Sequence, residues 1–203
     1  RYAMNTNVMY TLTYGLFLLS AADERDNGCI INTAAQVTAS PNRITITVSK
    51  QNYTHDMIRR TGRFNLSVLD ETAPFSLFQR FGFASGQDTD KLAGLTLPRS
   101  ENGLIYLGDH ACAYLSGQVV SEIDLDSHTL FLADVTAGEV LAKTPPMSYA
   151  YYHAHVKPKA PEKKAAGWVC KVCGYVYEGE ELPADFICPL CKHGAQDFER
   201  IGG

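Results

Sequence analysis

The sequence has no apolar run of bilayer-spanning length, which removes a transmembrane helix from consideration. It has no G-x-G-x-x-G, so a Rossmann-type dinucleotide domain is not expected. Charge of neither sign dominates: 18 Lys and Arg face 22 Asp and Glu, interspersed, for a net −4. That balance argues against nucleic acid and against an anionic membrane surface as partners. No internal repeat is visible apart from two short cysteine motifs near the end. The stretch Leu12 to Ala22 is apolar and ends in small residues, in the manner of a secretory core, but Thr13, Tyr14 and Gly15 interrupt it and no basic run precedes it. A strand is the preferred reading there. Arg1 to Ala3 read as a remnant ahead of the domain.

What is present is concentrated in the tail. Trp168 to Phe198 holds Cys170-x-x-Cys173 and Cys188-x-x-Cys191. Four thiolates in two such pairs can close a tetrahedron around one metal ion, and spacing alone leaves zinc and iron both open. The neighbours favour iron. Gly174 suits a positive-φ turn that aims an amide at sulfur, and Pro189 stiffens the second pair. Trp168, Tyr175, Tyr177, Phe186 and Phe198 can exclude water, which matters for redox tuning. Six cysteines with four in metal spacing point to a reducing compartment, and the cytoplasm is expected. Cys29 and Cys112 read as buried apolar residues.

The preceding part is mostly short β runs. Strands are expected at Val8–Leu19, Cys29–Thr38, the alternating Ile44–Val48 stretch, Phe64–Leu69, Leu104–Leu107, Cys112–Asp124 and Leu130–Val140. Asn27-Gly28 reads as a hairpin turn. Tyr53–Thr61 reads as a helix with Thr54 as N-cap, Asp56 at its positive end and Gly62 as its stop. Pro74–Phe81 reads as a second short helix. The fold class is therefore mainly β, barrel-like, over roughly residues 4 to 155. Lys157 to Gly167 then carries four Lys against Glu162 and no large apolar side chain, as a linker would. The division expected is a barrel at 1–156, a linker at 157–167 and a small metal domain at 168–203. The last is too short to fold without its metal. Between the alternating strand and the first helix, Ser49, Lys50, Gln51, Asn52 and Thr54 offer hydroxyls, an ammonium, an amide and free helix N–H groups. That set suits an anion or phosphate, and an ordinary capped turn is the alternative. By default Lys91 is a solvated charge and His128 a turn histidine.

Two resemblances sharpen these readings. V-C-K-V-C-G-Y-V-Y, L-P-A-D-F-I-C-P-L-C and the closing D-F resemble the rubredoxin family, which implies one redox iron on Cys170, Cys173, Cys188 and Cys191. Lys192 stands where that family has Gly, and the segment between the pairs is shorter than in free-standing members. N-G-C-I-I-N-T, P-N-R-I-T-I-T-V-S-K-Q-N-Y-T-H-D-M, R-F-G-F-A-S-G-Q-D-T-D-K and D-S-H-T-L-F-L-A-D-V resemble the flavin reductase family of FMN-binding split barrels, in its flavoredoxin branch. This implies a homodimer holding FMN, with NADH or NADPH as hydride donor. It implies Asn27, Asn32 and Thr33 along the flavin ring. It places Ser49, Lys50, Gln51, Asn52 and Thr54 at the ribityl chain and phosphate, and Lys91 near phosphate or ring. His128 is implied beside flavin or nicotinamide, as the one catalytic position. Asp126-Ser127 replaces the family's Gly-Asp ahead of it. Trp is absent near Thr33, so Tyr151 and Tyr152 are candidates to stack on the ring.

The two-part arrangement resembles high-molecular-weight rubredoxins. That implies NAD(P)H-dependent electron transfer through FMN and iron to an acceptor protein of the flavodiiron type. Two alternatives stand beside it. One is a flavin or ferric reductase that releases reduced flavin. The other is a non-enzymatic, zinc-clipped module on a flavin-binding scaffold.

Overall fold

Along β4 (Asn42–Ser49) Ile44, Ile46 and Val48 are buried while Thr45, Thr47 and Ser49 are half-exposed, the alternation expected of a half-buried strand. The protein is described by a computed structural model covering residues 4–158 and 167–201. Seven strands form one antiparallel sheet in the order β2-β1-β5-β6-β7-β4-β3. They are β1 (Phe17–Ala22), β2 (Asp26–Ile31), β3 (Ala34–Ala39), β4, β5 (Arg63–Leu69), β6 (Ala111–Leu125) and β7 (His128–Val140). The sheet curls on itself: Cys29 and Ile31, from one end of the strand order, share a core with Ile44, Ile46 and Val48 near the other. Phe64, Phe131, Met57 and Ile58 fill the middle. The last two come from α1 (Tyr53–Thr61), which ends where Gly62 turns left-handed at φ 70°. At a register shift in β6, Gly117 leaves the space that a Cβ would take to the Phe64 ring.

The outer face of β1 is buried as well. Leu16 and Leu18 pack with Phe78 and Phe81 of α2 (Phe75–Gly82), with Met147, and with Tyr152 just after α3 (Tyr149–Tyr151). A second sheet, β10-β8-β9, carries the tail: β8 (Gly167–Cys170), β9 (Val176–Tyr177) and β10 (Phe198–Ile201). Among the described residues no helix is long and apolar enough to cross a membrane.

The expected elements shift in four places, each for a local reason. The first strand begins at Phe17 and not at Val8, because Asn5 accepts the Asn7 N–H and starts a 3-10 turn over Thr6–Thr11. Asn27-Gly28 lies inside β2, opposite Ala21 and Ser20. Gly28 serves a close approach to Leu18 and Leu19, not a turn. The expected strand Cys29–Thr38 breaks at Asn32-Thr33, where Thr33 exchanges hydrogen bonds with Thr47 of β4. Leu104–Leu107 forms only a single bridge, because the Asn65 amide holds the Leu104 and Ile105 carbonyls in place of a neighbouring strand. Arg1 to Ala3 and most of the expected linker lie outside the described residues.

Candidate functional site

The tail is built around its sulfurs. Each Cys-x-x-Cys pair sits in the same turn. The Cys170 N–H donates to the Tyr175 carbonyl and the Gly174 N–H to the Cys170 carbonyl, both at 2.8 Å. The second pair repeats this with Cys188 to His193 at 2.8 Å and Lys192 to Cys188 at 2.9 Å. Both turns close on a left-handed residue, Gly174 at φ 81° and Lys192 at φ 62°. Lysine thus takes the backbone shape that glycine holds in the first turn. The amide bond onto sulfur survives it: the His193 N–H reaches the Cys191 sulfur as the Tyr175 N–H reaches that of Cys173. The strain has a measurable consequence. Lys192→Gly is expected to stabilise the metal-loaded tail by about 1 kcal/mol, the usual cost of a side chain in the left-handed region. Denaturant unfolding followed at the metal-thiolate absorption reads this, and a destabilised variant would contradict it.

The four sulfurs lie within 4.8 Å of one another, with Cys170 to Cys191 and Cys173 to Cys188 at 3.5 Å. A tetrahedral ion with metal–sulfur bonds of about 2.3 Å needs edges near 3.8 Å, so the cage fits one. All four side chains are fully buried. Tyr175, Tyr177, Phe186 and Trp168 pack around them, with Phe186 edge-on to Phe198 at 5.4 Å. Protonation points the same way. Burial pushes the Cys173 thiol up to about 11 and that of Cys191 higher still. Burial also opposes ionisation of Cys188, but the N–H groups of Cys191 and Leu190 overcome it and hold that thiol below its usual range. Thiols so reluctant to ionise become thiolates when a cation offsets their charge, and metal affinity falls as pH falls.

The barrel carries the other expected residues in three groups that α1 and β4 link. Ser49, Lys50, Gln51 and Asn52 lead from β4 into α1. Ser49 pairs with His128 across the β4–β7 ladder. The Lys50 N–H donates to the Ser127 carbonyl at 3.0 Å, and its ammonium grips both Asp124 carboxylate oxygens at 2.8 and 2.7 Å. His128 Nδ1 lies 2.8 Å from the Ser127 hydroxyl. Asn52, and not Thr54, is the N-cap, and its side chain makes no capping bond. Thr54 is instead buried and accepts the Asn27 amide at 3.0 Å, forming the second group. Lys91 closes that group from behind. It is 5 % exposed and donates to the Gly28 and Phe81 carbonyls, each at 3.0 Å. Burial holds its ammonium below the usual lysine range, with the Cys29 thiol acting against that. It is not the solvated charge that composition alone suggests. A cavity of about 340 Å³ lies here, lined by Arg25, Asn27, Gly86 and Lys91 among others. Thr33 joins β4 through Thr47, two residues before Ser49 on the same strand face. Asn32 is half-buried next to it.

The two tyrosines considered for stacking, Tyr151 and Tyr152, lie in the cluster around α2. Tyr152 packs on Phe78 at 4.5 Å, and its phenol is pushed up to about 12 by burial, with Tyr149 and Cys173 adding to the shift. Tyr151 lies against His155. Several residues with a place near the site gave no sign in the sequence. Arg25 stacks 4.9 Å over the Tyr53 ring and donates to the Gly86 carbonyl at 2.7 Å. Asp124 is the partner of Lys50. Phe75 and Phe83 pack against the cysteine cluster. Arg25 lies in a turn-forming run, and only tertiary contact distinguishes it there.

Comparison with known proteins agrees with this geometry. Residues 9–160 match the flavin reductase like domain, and residues 168–199 match the rubrerythrin, rubredoxin-like domain. The high molecular weight rubredoxin of Moorella thermoacetica is 37% identical over 98% of this chain and all of its own. The ferric-chelate reductase (NAD(P)H) of Archaeoglobus fulgidus is 33% identical over 78% of this chain and 94% of its own. Among solved structures, the NADH:FAD oxidoreductase SgcE6 of Streptomyces globisporus superimposes with a TM-score of 0.65 over 73% of this chain and 92% of its own, at 18% identity. The barrel shares its fold. With a family match across most of its length and a full-length relative, the chain belongs to the flavin reductase-like family and carries a rubredoxin-like domain behind its split barrel.

Proposed function

We propose that this protein takes electrons from NADH or NADPH at a flavin held by its barrel and passes them through iron in its tail to an acceptor protein. The observation that carries this reading is the pairing, in one chain, of a flavin reductase-like barrel with a buried four-sulfur cage. A bound flavin accepts a hydride and gives up electrons singly, and a bound iron stores one electron at a time. The chain's own part is binding, orientation and exclusion of water. In this reading the barrel occupies residues 1–156 and a linker 157–167 joins it to residues 168–203.

Lys50 would hold the phosphate of FMN, with Ser49, Gln51 and Asn52 at the same helix entrance. The anion would take the position at the ammonium that Asp124 now holds. Thr33 and Asn32 would line the ring, and Asn27 and Thr54 would shape its wall. Lys91, fixed by two carbonyls, sets a positive charge behind that wall. His128 sits across from Ser49, where it can meet flavin or nicotinamide. With no Rossmann fingerprint in the chain, the nicotinamide binds transiently against the ring.

A homodimer is part of the proposal. The hairpin end of β6 exposes Val120, Ile123 and Leu125, the opposite end of the β6–β7 ladder exposes Val140, and the first turn exposes Val8, Met9, Tyr10 and Leu12. Apolar surface of this extent fits burial against a second copy. The cytoplasm suits the reduced thiols, and a flavodiiron-type enzyme suits the role of acceptor. The relative named a ferric-chelate reductase supports a second reading, reduction of an external chelate. The sulfur cage gives electrons a protein-bound destination and favours the first.

Gel filtration tests this directly. The protein is expected to elute at twice the chain mass with FMN still bound. Lys50→Ala is expected to weaken FMN by about tenfold to a hundredfold, the loss of one charge-assisted bond to phosphate. A wild-type protein that sheds its flavin on the column would favour the flavin-releasing reductase instead.

A further inference from the structure

The tail does not sit apart from the barrel. Phe83, the residue that ends α2, and Phe75, at its first turn, pack against the cluster of Cys170, Cys173, Cys188, Cys191 and Phe198. Their rings lie 5.9 Å apart. The first cysteine turn also packs on the chain just beyond the barrel: a Cβ on Gly174 would lie 2.9 Å from the Pro158 carbonyl oxygen. The second turn faces the barrel across a cavity of about 550 Å³. Phe83, Ala84, Ser85 and Asp88 line one side of it, and Cys191, Lys192 and His193 are on the other.

The same loop has a second face. Gly86 is buried against Asn27 so closely that a Cβ there would overlap the Asn27 amide. Arg25 holds the Gly86 carbonyl. Gly86, on the wall assigned to the flavin, comes three residues after Phe83, on the sulfur cage. Three residues of chain span at most about 11 Å. One short loop is therefore the partition between the two sites.

We infer that the loop Phe83–Thr89 is the docking face for the tail within the same chain, and that Phe83 is the positioning residue that holds the cysteine cage beside the flavin wall for electron hand-over. The electron part of this inference rests on the proposed function, and the docking part does not. The partner is this chain's own tail, seated in the structure. A ferric ion held by the cage would take one electron from the reduced flavin and become ferrous. The flavin would give up its second electron, and its ring N–H proton to solvent, once an acceptor had reoxidised the iron. Phe83 contributes apolar contact area and holds distance; it carries no charge or proton. Trapping the tail by a side chain that is only half-buried fits a contact made to hold a module near and to let it leave for an acceptor.

Phe83→Ala and Phe83→Leu in the full-length protein test the two parts separately. With zinc in the cage, amide resonances of residues 84–89 and 192–196 are expected to shift together in Phe83→Ala and to stay near wild type in Phe83→Leu. With iron in the cage and NADH mixed in anaerobically, bleaching of the metal bands relative to the flavin bands is expected to slow by about tenfold in Phe83→Ala. That corresponds to losing one aromatic anchor. Phe83→Leu, which keeps most of the apolar area, is expected to restore the ratio. Unmoved resonances in Phe83→Ala would overturn the docking face, whatever the kinetics. Moved resonances with an unchanged ratio would overturn Phe83 as a positioning residue. If wild-type iron never bleaches, the proposed function fails while the resonances still decide the docking.

Discussion

Cys188→Ala is expected to empty the tail of metal and unfold it while the barrel stays folded. The reason lies in what the tail has for a core. Its buried cluster is Cys170, Cys173, Cys188, Cys191 and Phe198, so four of its five members are sulfur ligands. Without an ion these are thiols crowded at 3.5 Å, two of them pushed well above their usual range. Metal supplies on the order of 10–16 kcal/mol to sites of this size. A three-stranded sheet of two- to four-residue strands has nothing comparable to replace it. Cys188 is the informative ligand, because two backbone N–H groups favour its thiolate. Its loss removes the anchoring charge along with a ligand. Metal analysis should read near zero per chain, the metal-thiolate bands should vanish, and flavin should remain bound. A variant that keeps one ion per chain would contradict this account of the tail.

Phe64→Ala is expected to produce the opposite pattern. Phe64 is fully buried at the centre of the barrel core, and its ring fills the space left by Gly117 at the β6 register shift. A rigid strand pair on one side and α1 on the other leave little room for collapse into the void. Truncation of a buried Phe costs about 3–5 kcal/mol. Against a total stability of roughly 5–15 kcal/mol, that is a large share. Denaturant unfolding should show the barrel transition moved by that amount and flavin lost early, with the metal still in place. A cost under about 1 kcal/mol would mean that the register shift does not seat this ring as described.

Much of this was legible in the chain itself. The two Cys-x-x-Cys pairs, the alternation of Ile44 to Val48 and the bounds of α1 are local signals, and local signals survive folding. The misread places are those where a tertiary partner decides. Asn27-Gly28 has the composition of a turn, but Gly28 is small because Leu18 and Leu19 come close to it. Leu104–Leu107 has the pattern of a strand, but Asn65, far away in sequence, takes its carbonyls. Lys91 looks like surface charge until two carbonyls are seen to receive it. Lys192 stands where the resembled family has glycine, and the backbone keeps the left-handed turn all the same. The part Phe83 plays has no sequence signature, because it depends on where the tail comes to rest.

The central claim is that electrons entering the barrel reach the tail of the same protein. Anaerobic titration of the iron- and flavin-loaded protein with NADH, followed by visible spectra, tests it most directly. The account predicts that the flavin absorption and the ferric-thiolate bands both bleach, with no acceptor protein added. Bleached flavin beside unchanged ferric bands would contradict it.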